Sequence, residues 1–192
     1  MNILILNGSP RRNGVLAQLL GEIAKNIPSQ NSVEIINVYD LAVKPCIACM
    51  ACRTKGVCSL PNDDAQLIAD KINACDVLIV GTPTHWGNAS SALLTLFGRL
   101  VYVMATDNDS LIPKGLQKGK KAILVATCTT PYPFNILYKQ SRGAIKAMRE
   151  ILRWSGFKII GTLEKGGTRK HPELTNGEKR KCARLAKNLL YK

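Results

Sequence analysis

The sequence predicts an α/β protein: a doubly wound, five-stranded parallel sheet with helices on both faces. Two observations carry this. Five short apolar runs alternate with amphipathic helical patterns along the 192 residues. Three of those runs, at 3–6, 77–80 and 122–126, are apolar throughout, as strands buried on both faces are. A chain of this length that is 46% hydrophobic can bury roughly 70% of its unfolded surface as one domain, 1–192. No internal repeat or linker interrupts it.

Each element follows from local signals. Ile3–Leu6 reads as strand one and stops at Asn7-Gly8. The loop Gly8-Ser9-Pro10-Arg11-Arg12-Asn13-Gly14 leads into a helical pattern of Leu16, Leu20, Ile23 and Ile27, ended by Pro28. Val33–Val38 reads as strand two, and a cysteine-rich loop, 45–60, fills the connection after it. Asn62, Asp63 and Asp64 offer caps for a short helix through Leu67, Ile68 and Ile72. Val77–Val80 is strand three, ending in a loop over 81–88. The helix after it is expected to bury Leu93, Leu94, Phe97 and Val101. Residues 106–120 read as a polar loop and Ala122–Ala126 as strand four. A loop over 127–133, a long helix over about Ile136–Trp154 and strand five at Phe157–Thr162 follow. Glu164–Pro172 is a Gly/Lys-rich loop. Thr175 and Glu178 form a capping box that opens a final basic helix, with Cys182, Leu185 and Leu189 inward.

Charge narrows the partners. The formal net charge is +14, and the segment from Arg169 to Lys192 holds eight basic and two acidic residues. Such a field steers acidic partners: an acidic redox protein, an anionic cofactor or nucleic acid. A basic surface that serves only solubility is the plainer reading. Only 5% of residues are aromatic, and no basic stretch interleaves with them as in single-strand binders, so nucleic acid is unlikely. The apolar opening Ile3–Leu6 is too short for a signal core or a membrane span, which points to a cytoplasmic protein with reduced thiols.

In the strand order 2-1-3-4-5, ligands sit beyond the C-terminal ends of strands one and three. After strand one, backbone N–H groups at a helix start form an anion nest, with Ser9 offering a hydroxyl and Arg11 and Arg12 adding charge. The loop is neither G-x-G-x-x-G nor a Walker A sequence, so neither a dinucleotide nor an ATP site is indicated. A plain turn with two solvated arginines is the alternative. After strand three comes Pro83-Thr84-His85-Trp86-Gly87-Asn88. A phosphate on the first loop and a flat ring against the second describe FMN. Trp86 would flank the ring system and the backbone of 84–88 would meet its polar edge. His85 reads as a polar contact rather than a general base, because hydride transfer needs little acid–base help. Ordinary loop packing is the alternative for both side chains.

Four of the seven cysteines fall in Cys46–Cys58, spaced C-x2-C-x2-C-x5-C. Three thiolates one short turn apart can wrap one corner of a 4Fe–4S cluster, and a fourth, swung round by Gly56, can close the far side. Structural zinc sites usually split their ligands into two distant pairs, so zinc fits less well. A disulfide is disfavoured in a reducing compartment. The alternative without metal is that some are small apolar residues in a loop. Cys75, Cys128 and Cys182 read as packing residues.

The motifs NGSPRRNG at 7–14, PCIACMACRTKGVC at 45–58 and TPTHWGNASSALLTLFGR at 82–99 resemble the NAD(P)H-dependent FMN reductase group of flavodoxin-like proteins. The cysteine run is similar to that of its iron–sulfur flavoprotein branch. The resemblance implies a flavodoxin-like fold, with the FMN phosphate on Ser9, Pro10, Arg11 and Asn13. It places the isoalloxazine along Pro83–Asn88, with the loop 127–132, including Thr127 and Thr129, closing over it. It also implies a homodimer or homotetramer in which flavin and cluster meet across a subunit boundary. Val15, Leu16, His85 and Gly98 depart from the family pattern, and bear on flavin affinity rather than on fold.

Three functions are compatible with these readings. The first is an FMN-dependent oxidoreductase passing electrons between flavin and a cluster on Cys46, Cys49, Cys52 and Cys58. Its donor would be NAD(P)H or a ferredoxin-like acidic protein, with Arg53 and Lys55 raising the cluster potential. The second is a cluster-free NAD(P)H-dependent FMN or quinone reductase acting on a small-molecule redox substrate. The third is a non-catalytic basic binding module on a decayed scaffold.

Overall fold

The computed structural model describes residues 1–106 and 112–189. Residues 107–111 of the expected polar loop, and 190–192 at the end of the basic C-terminal segment, lie outside the described residues. Seven strands and eight α-helices are described. The strands are β1 (Asn2–Asn7), β2 (Ser32–Asn37), β3 (Val77–Pro83), β4 (Ala105–Thr106), β5 (Lys114–Gly115), β6 (Lys121–Thr127) and β7 (Lys158–Lys165). The helices are α1 (Val15–Lys25), α2 (Ala51–Lys55), α3 (Asp64–Ala74), α4 (Ser91–Arg99), α5 (Val101–Met104), α6 (Phe134–Leu137), α7 (Gln140–Trp154) and α8 (Asn176–Asn188).

Five strands make one parallel sheet in the order β2-β1-β3-β6-β7. This is the flavodoxin-like order expected, with β6 and β7 as the fourth and fifth strands of that sheet. β4 and β5 form a separate two-residue antiparallel pair inside the segment read as a plain polar loop. The central strands owe their place to unbroken apolar sequence. NILILN, VLIVGTP and KAILVAT are buried almost throughout, whereas β2 and β7 at the edges are only partly buried.

Strand pleating divides the core in two. Leu4, Leu6, Leu78, Val80, Leu124 and Ala126 point to one face, under α3, α4 and α7. Their alternates Ile3, Ile5, Val77, Ile79, Ile123 and Val125 point to the other, under α1 and α8. Fully burying a Leu or Ile stabilises by about 1.5–3 kcal/mol, so a one-residue slip would be heavily penalised.

Several boundaries differ from expectation. β3 and β6 run on to Pro83 and Thr127. β7 starts after Phe157 and continues through Glu164 and Lys165, past the strand end that the sequence predicts at Thr162. Its polar end is tied down: buried Lys165 donates to Glu178 at 2.7 Å and to the Glu173 carbonyl at 3.2 Å, and Ser141 donates to Glu164 at 2.6 Å. The long helix expected over 136–154 is broken at Lys139, whose φ of 56° lies in the left-handed region, leaving α6 and α7. In α4 the buried face is Leu93, Leu96, Phe97 and Arg99 rather than Leu93, Leu94, Phe97 and Val101. The chain turns at Leu100, where the backbone leaves helical geometry before α5.

Candidate functional site

The sheet ends its central strands side by side, and the loops after β1, β3 and β6 open a crevice of about 360 Å³ there. This is within the usual size range for a small-ligand site. Ser9, Pro10, Arg11 and Asn13 line it from the first loop, Pro83, Thr84 and His85 from the end of β3, and Thr127 and Thr129 from the end of β6. Val15 and Leu16 of α1 also line it, with Leu16 reaching into the core.

The first loop is held by its own polar groups. Ser9 N–H donates to Asn7 Oδ1 at 3.2 Å, and Asn7, buried, donates to Asn37 Oδ1 at 2.9 Å. Ser9 Oγ accepts the Arg11 N–H at 3.1 Å, which leaves its own O–H free to donate to an anion. Gly8 N–H donates to the Gly81 carbonyl at 2.8 Å, and a Cβ at Gly8 would enter the Leu93 side chain. The chain therefore hugs β3 before turning into α1. Gly14 caps that helix with no side-chain hydrogen bond, so its first-turn amides are left for a ligand. Arg11 borders the crevice, whereas Arg12, expected to add charge here, pairs with Asp40 at 2.7 Å.

The opposite wall carries an unmet polar atom. Thr84 donates its N–H to the Thr127 carbonyl at 2.8 Å, but its Oγ1 is buried with no partner among the described residues. Such an atom lining a crevice suits the polar edge of a ligand. An anion nest, an orphan hydroxyl and an open slot fit a phosphate-bearing planar group such as FMN.

Trp86, Gly87 and Asn88 do not line the crevice. They form a tight turn closed by His85 N–H to Asn88 O (2.9 Å) and Asn88 N–H to His85 O (2.8 Å). Trp86 adopts a φ of 51° and is fully exposed on the rim. The turn is seated on α7, where a Cβ at Gly143 would collide with the Gly87 carbonyl oxygen. Lining residues that the sequence reading missed are Gln18, Thr168 and Pro172. The last two come from the loop after β7, which Thr168 pins by donating to the Cys128 carbonyl at 3.2 Å. No local pattern marks them.

The cysteine loop lies apart from the crevice, over the C-terminal end of α4. A Cβ at Gly98 would rest 3.9 Å from Cys46 Cβ. Cys46 and Cys49 are exposed, and Cys52 and Cys58 partly so. Within the loop α2 spans Ala51–Lys55, and Ala48, Met50 and Gly56 all take left-handed φ. Ala48 N–H donates to Cys46 Sγ at 3.4 Å and Cys49 Sγ lies 3.0 Å from Ser59 Oγ. The Ser59 contact, and then the Ala51 N–H, hold the Cys49 thiol below its usual pKa, whereas burial pushes Cys52 up. Among the described residues no three His, Cys, Asp or Glu side chains converge as a metal site. The donor type does fit an iron–sulfur group: four free thiols in one loop, with N–H groups turned to sulfur. Cys75 and Cys182 are buried in the core, where burial raises both thiols to about 11. Cys128 is buried beside the crevice and donates to Gln140 at 3.1 Å.

Beneath the loop lies a feature the sequence did not announce. Arg99 has a fully buried side chain whose Nη1 donates to Asp63 Oδ2 at 2.6 Å and to the Lys44 carbonyl at 2.8 Å. Burial opposes the charge on Arg99, but Asp63 and then the Cys58 thiol hold its pKa above the usual value. Asp63 caps α3 in a capping box with Gln66. Burial works against its charge too, yet the N–H groups of Lys44 and Ala65 and the Arg99 guanidinium keep it below the ordinary carboxylate range.

Comparison with known proteins agrees with this architecture. An iron-sulfur flavoprotein of Clostridioides difficile is 30% identical over 197 residues, covering 100% of this chain and 79% of the relative. An iron-sulfur flavoprotein of Archaeoglobus fulgidus is 36% identical over 100 residues, 52% of this chain; that match spans about half of the relative, 48%. The structure of an NAD(P)H:quinone oxidoreductase from Methanothermobacter marburgensis superposes with a TM-score of 0.74 at 18% identity, covering 100% of this chain and 97% of that one; it speaks to fold. Residues 1–162 match the family described as NADPH-dependent FMN reductase. The chain belongs to the NADPH-dependent FMN reductase family, and with it to the flavin oxidoreductases.

Proposed function

We propose that this flavin oxidoreductase binds FMN in the crevice between the loops after β1, β3 and β6, and exchanges electrons with a 4Fe–4S cluster held by Cys46, Cys49, Cys52 and Cys58. The observation that carries the flavin site is the convergence of Ser9, Pro10, Arg11 and Asn13 with Pro83, Thr84, His85, Thr127 and Thr129 on one slot. The cluster reading rests on the four thiols of one loop and on relatives named as iron-sulfur flavoproteins.

The Ser9 hydroxyl, Arg11 and the first-turn amides of α1 would bind the phosphate. Thr84 Oγ1 and the backbone at His85 would orient the polar edge of the ring, and Thr127 and Thr129 would exclude water from above. Trp86, Gly87 and Asn88 form the rim against which the outer part of the ring would rest. Bound flavin supplies hydride and single-electron chemistry, and a cluster supplies single-electron transfer. NAD(P)H, or an acidic ferredoxin-like protein drawn by the +14 charge, would act as donor. The exposed Trp86, Tyr132, Leu137 and Tyr138 support a homodimer or homotetramer. Among the described residues no helix is long and apolar enough to cross a membrane. We place the chain in the cytoplasm as one domain, 1–192, with the cysteine loop 45–60 as its outgrowth.

An absorption spectrum of anaerobically purified protein, with FMN, iron and sulfide quantified, tests this. The expected result is one FMN with about four iron and four sulfide per chain. Flavin without iron would support the cluster-free NAD(P)H-dependent FMN or quinone reductase, a reading favoured by the unconverged thiols. Colourless protein that takes up neither would sink both.

A further inference from the structure

Arg99 is the most conspicuous unsatisfied group of the cysteine-loop region. Its side chain is 0% exposed, yet only Nη1 is bonded, to Asp63 and the Lys44 carbonyl. Nε and Nη2 are buried without partners among the described residues. A buried donor left unpaired is destabilising, and a guanidinium cannot escape by losing its proton. Such a group in a native structure calls for an explanation, and a partner that the chain itself does not supply is one. The surroundings narrow what that is. Arg99 is on the last turn of α4, next to Gly98, over which Cys46 lies, and the Cys58 thiol is a polar neighbour of the guanidinium. Asp63 and Lys44, which fix Nη1, flank the same loop on either side.

We propose that Arg99 is the positioning cation of the cysteine loop, its Nε–H and Nη2–H donating to sulfur at Cys58 and to the iron–sulfur group that the four thiols bind. This rests on the cluster part of the proposed function. A four-thiolate cluster is an anion, and hydrogen bonds to its sulfurs together with a fixed cation favour the reduced, more negative state. Asp63 sets the opposing term: it orients Arg99 and offsets part of its charge.

The test is redox titration of full-length, anaerobically purified protein, following the cluster's visible absorbance, in wild type, Arg99→Gln, Arg99→Lys and Asp63→Asn. Iron, sulfide and melting temperature are measured alongside. In Arg99→Gln the reduced-to-oxidised ratio at a fixed poise should fall at least tenfold, which is about 59 mV for a one-electron couple. Asp63→Asn, which keeps a good helix cap, should move the ratio the other way. Arg99→Lys keeps the charge with fewer donors and should fall between wild type and Gln. A purely structural pair would lower stability in both single variants without opposite shifts. Iron-loaded variants with the wild-type ratio, or with Gln and Asn shifted in the same direction, would overturn the inference alone. Should Arg99→Gln fail to fold, Asp63→Asn and Arg99→Lys decide by the same signs. Wild-type protein that holds neither iron nor sulfide would overturn the cluster reading and this inference together.

Discussion

The crevice and the cysteine loop are built by opposite means. The crevice sits on the rigid ends of β1, β3 and β6, and its first loop is wired to the sheet through Asn7, Ser9 and the Gly8–Gly81 hydrogen bond. Its loop is fixed by the protein's own hydrogen bonds. The cysteine loop stands off the sheet, turns through three left-handed residues and exposes two of its four thiols. What anchors it is not a ladder but side chains: the buried Arg99–Asp63 pair and the bonds both make to Lys44. A preorganised slot loses little when its ligand leaves, whereas a loop of this kind depends on what it binds.

If the two regions are independent in this way, Cys49→Ser should have the largest effect and the narrowest. Iron content should fall to background and the loop should lose the stability its bound group supplies, while FMN affinity is unchanged. A parallel loss of FMN in a fluorescence titration would show the regions to be coupled. The converse perturbation is Gly143→Val, which drives a side chain into the Gly87 turn. It should weaken FMN binding at least tenfold and destabilise by about 1–3 kcal/mol, with iron retained. Cys182→Ser separates the two uses of cysteine. That thiol is sealed in the core on the inner face of α8, so denaturant melts should show a loss of about 1–3 kcal/mol with no change in iron.

Smaller effects sharpen the picture. Arg11→Ala should raise the FMN dissociation constant about tenfold, equivalent to about 1.4 kcal/mol, and added salt should shrink the gap between variant and wild type. The mildest test is acid. Asp63 has a folded-state pKa below the ordinary 3.8. Its stabilisation is therefore fully present above that value and is lost as pH falls through the lower, folded one. The melting temperature of Asp63→Asn should accordingly fall less steeply than wild type below about pH 4.

Particular residues show where reading the chain succeeded. The runs at 3–6, 77–80 and 122–126 had to be buried strands, because nothing polar interrupts them, and strand order and the crevice's position follow from a parallel sheet of that size. The Thr175–Glu178 capping box is local, and a helix starts there; of the caps offered by Asn62, Asp63 and Asp64, the one used is Asp63, boxed with Gln66. Lys139 was not legible: a left-handed break inside a good helical pattern is imposed by neighbours, not by the residue. Leu96, three residues after Leu93, is inward by ordinary helical spacing, whereas the turn at Leu100, which ends the α4 face before Val101, carries no local signal.

The amino-acid sequence by itself determined the layers of this protein, the slot at the sheet's end and the compact set of four thiols, since each is written in spacing over a few neighbours. Only the tertiary structure decided that Trp86 faces outward, that Thr168 and Pro172 wall the crevice, and that Arg99 is buried against Asp63 and Lys44. The reason is physical. Periodicity encodes which side of an element is to be covered, but the covering segment, 36 or 55 residues away for Arg99, is chosen by how the whole chain packs.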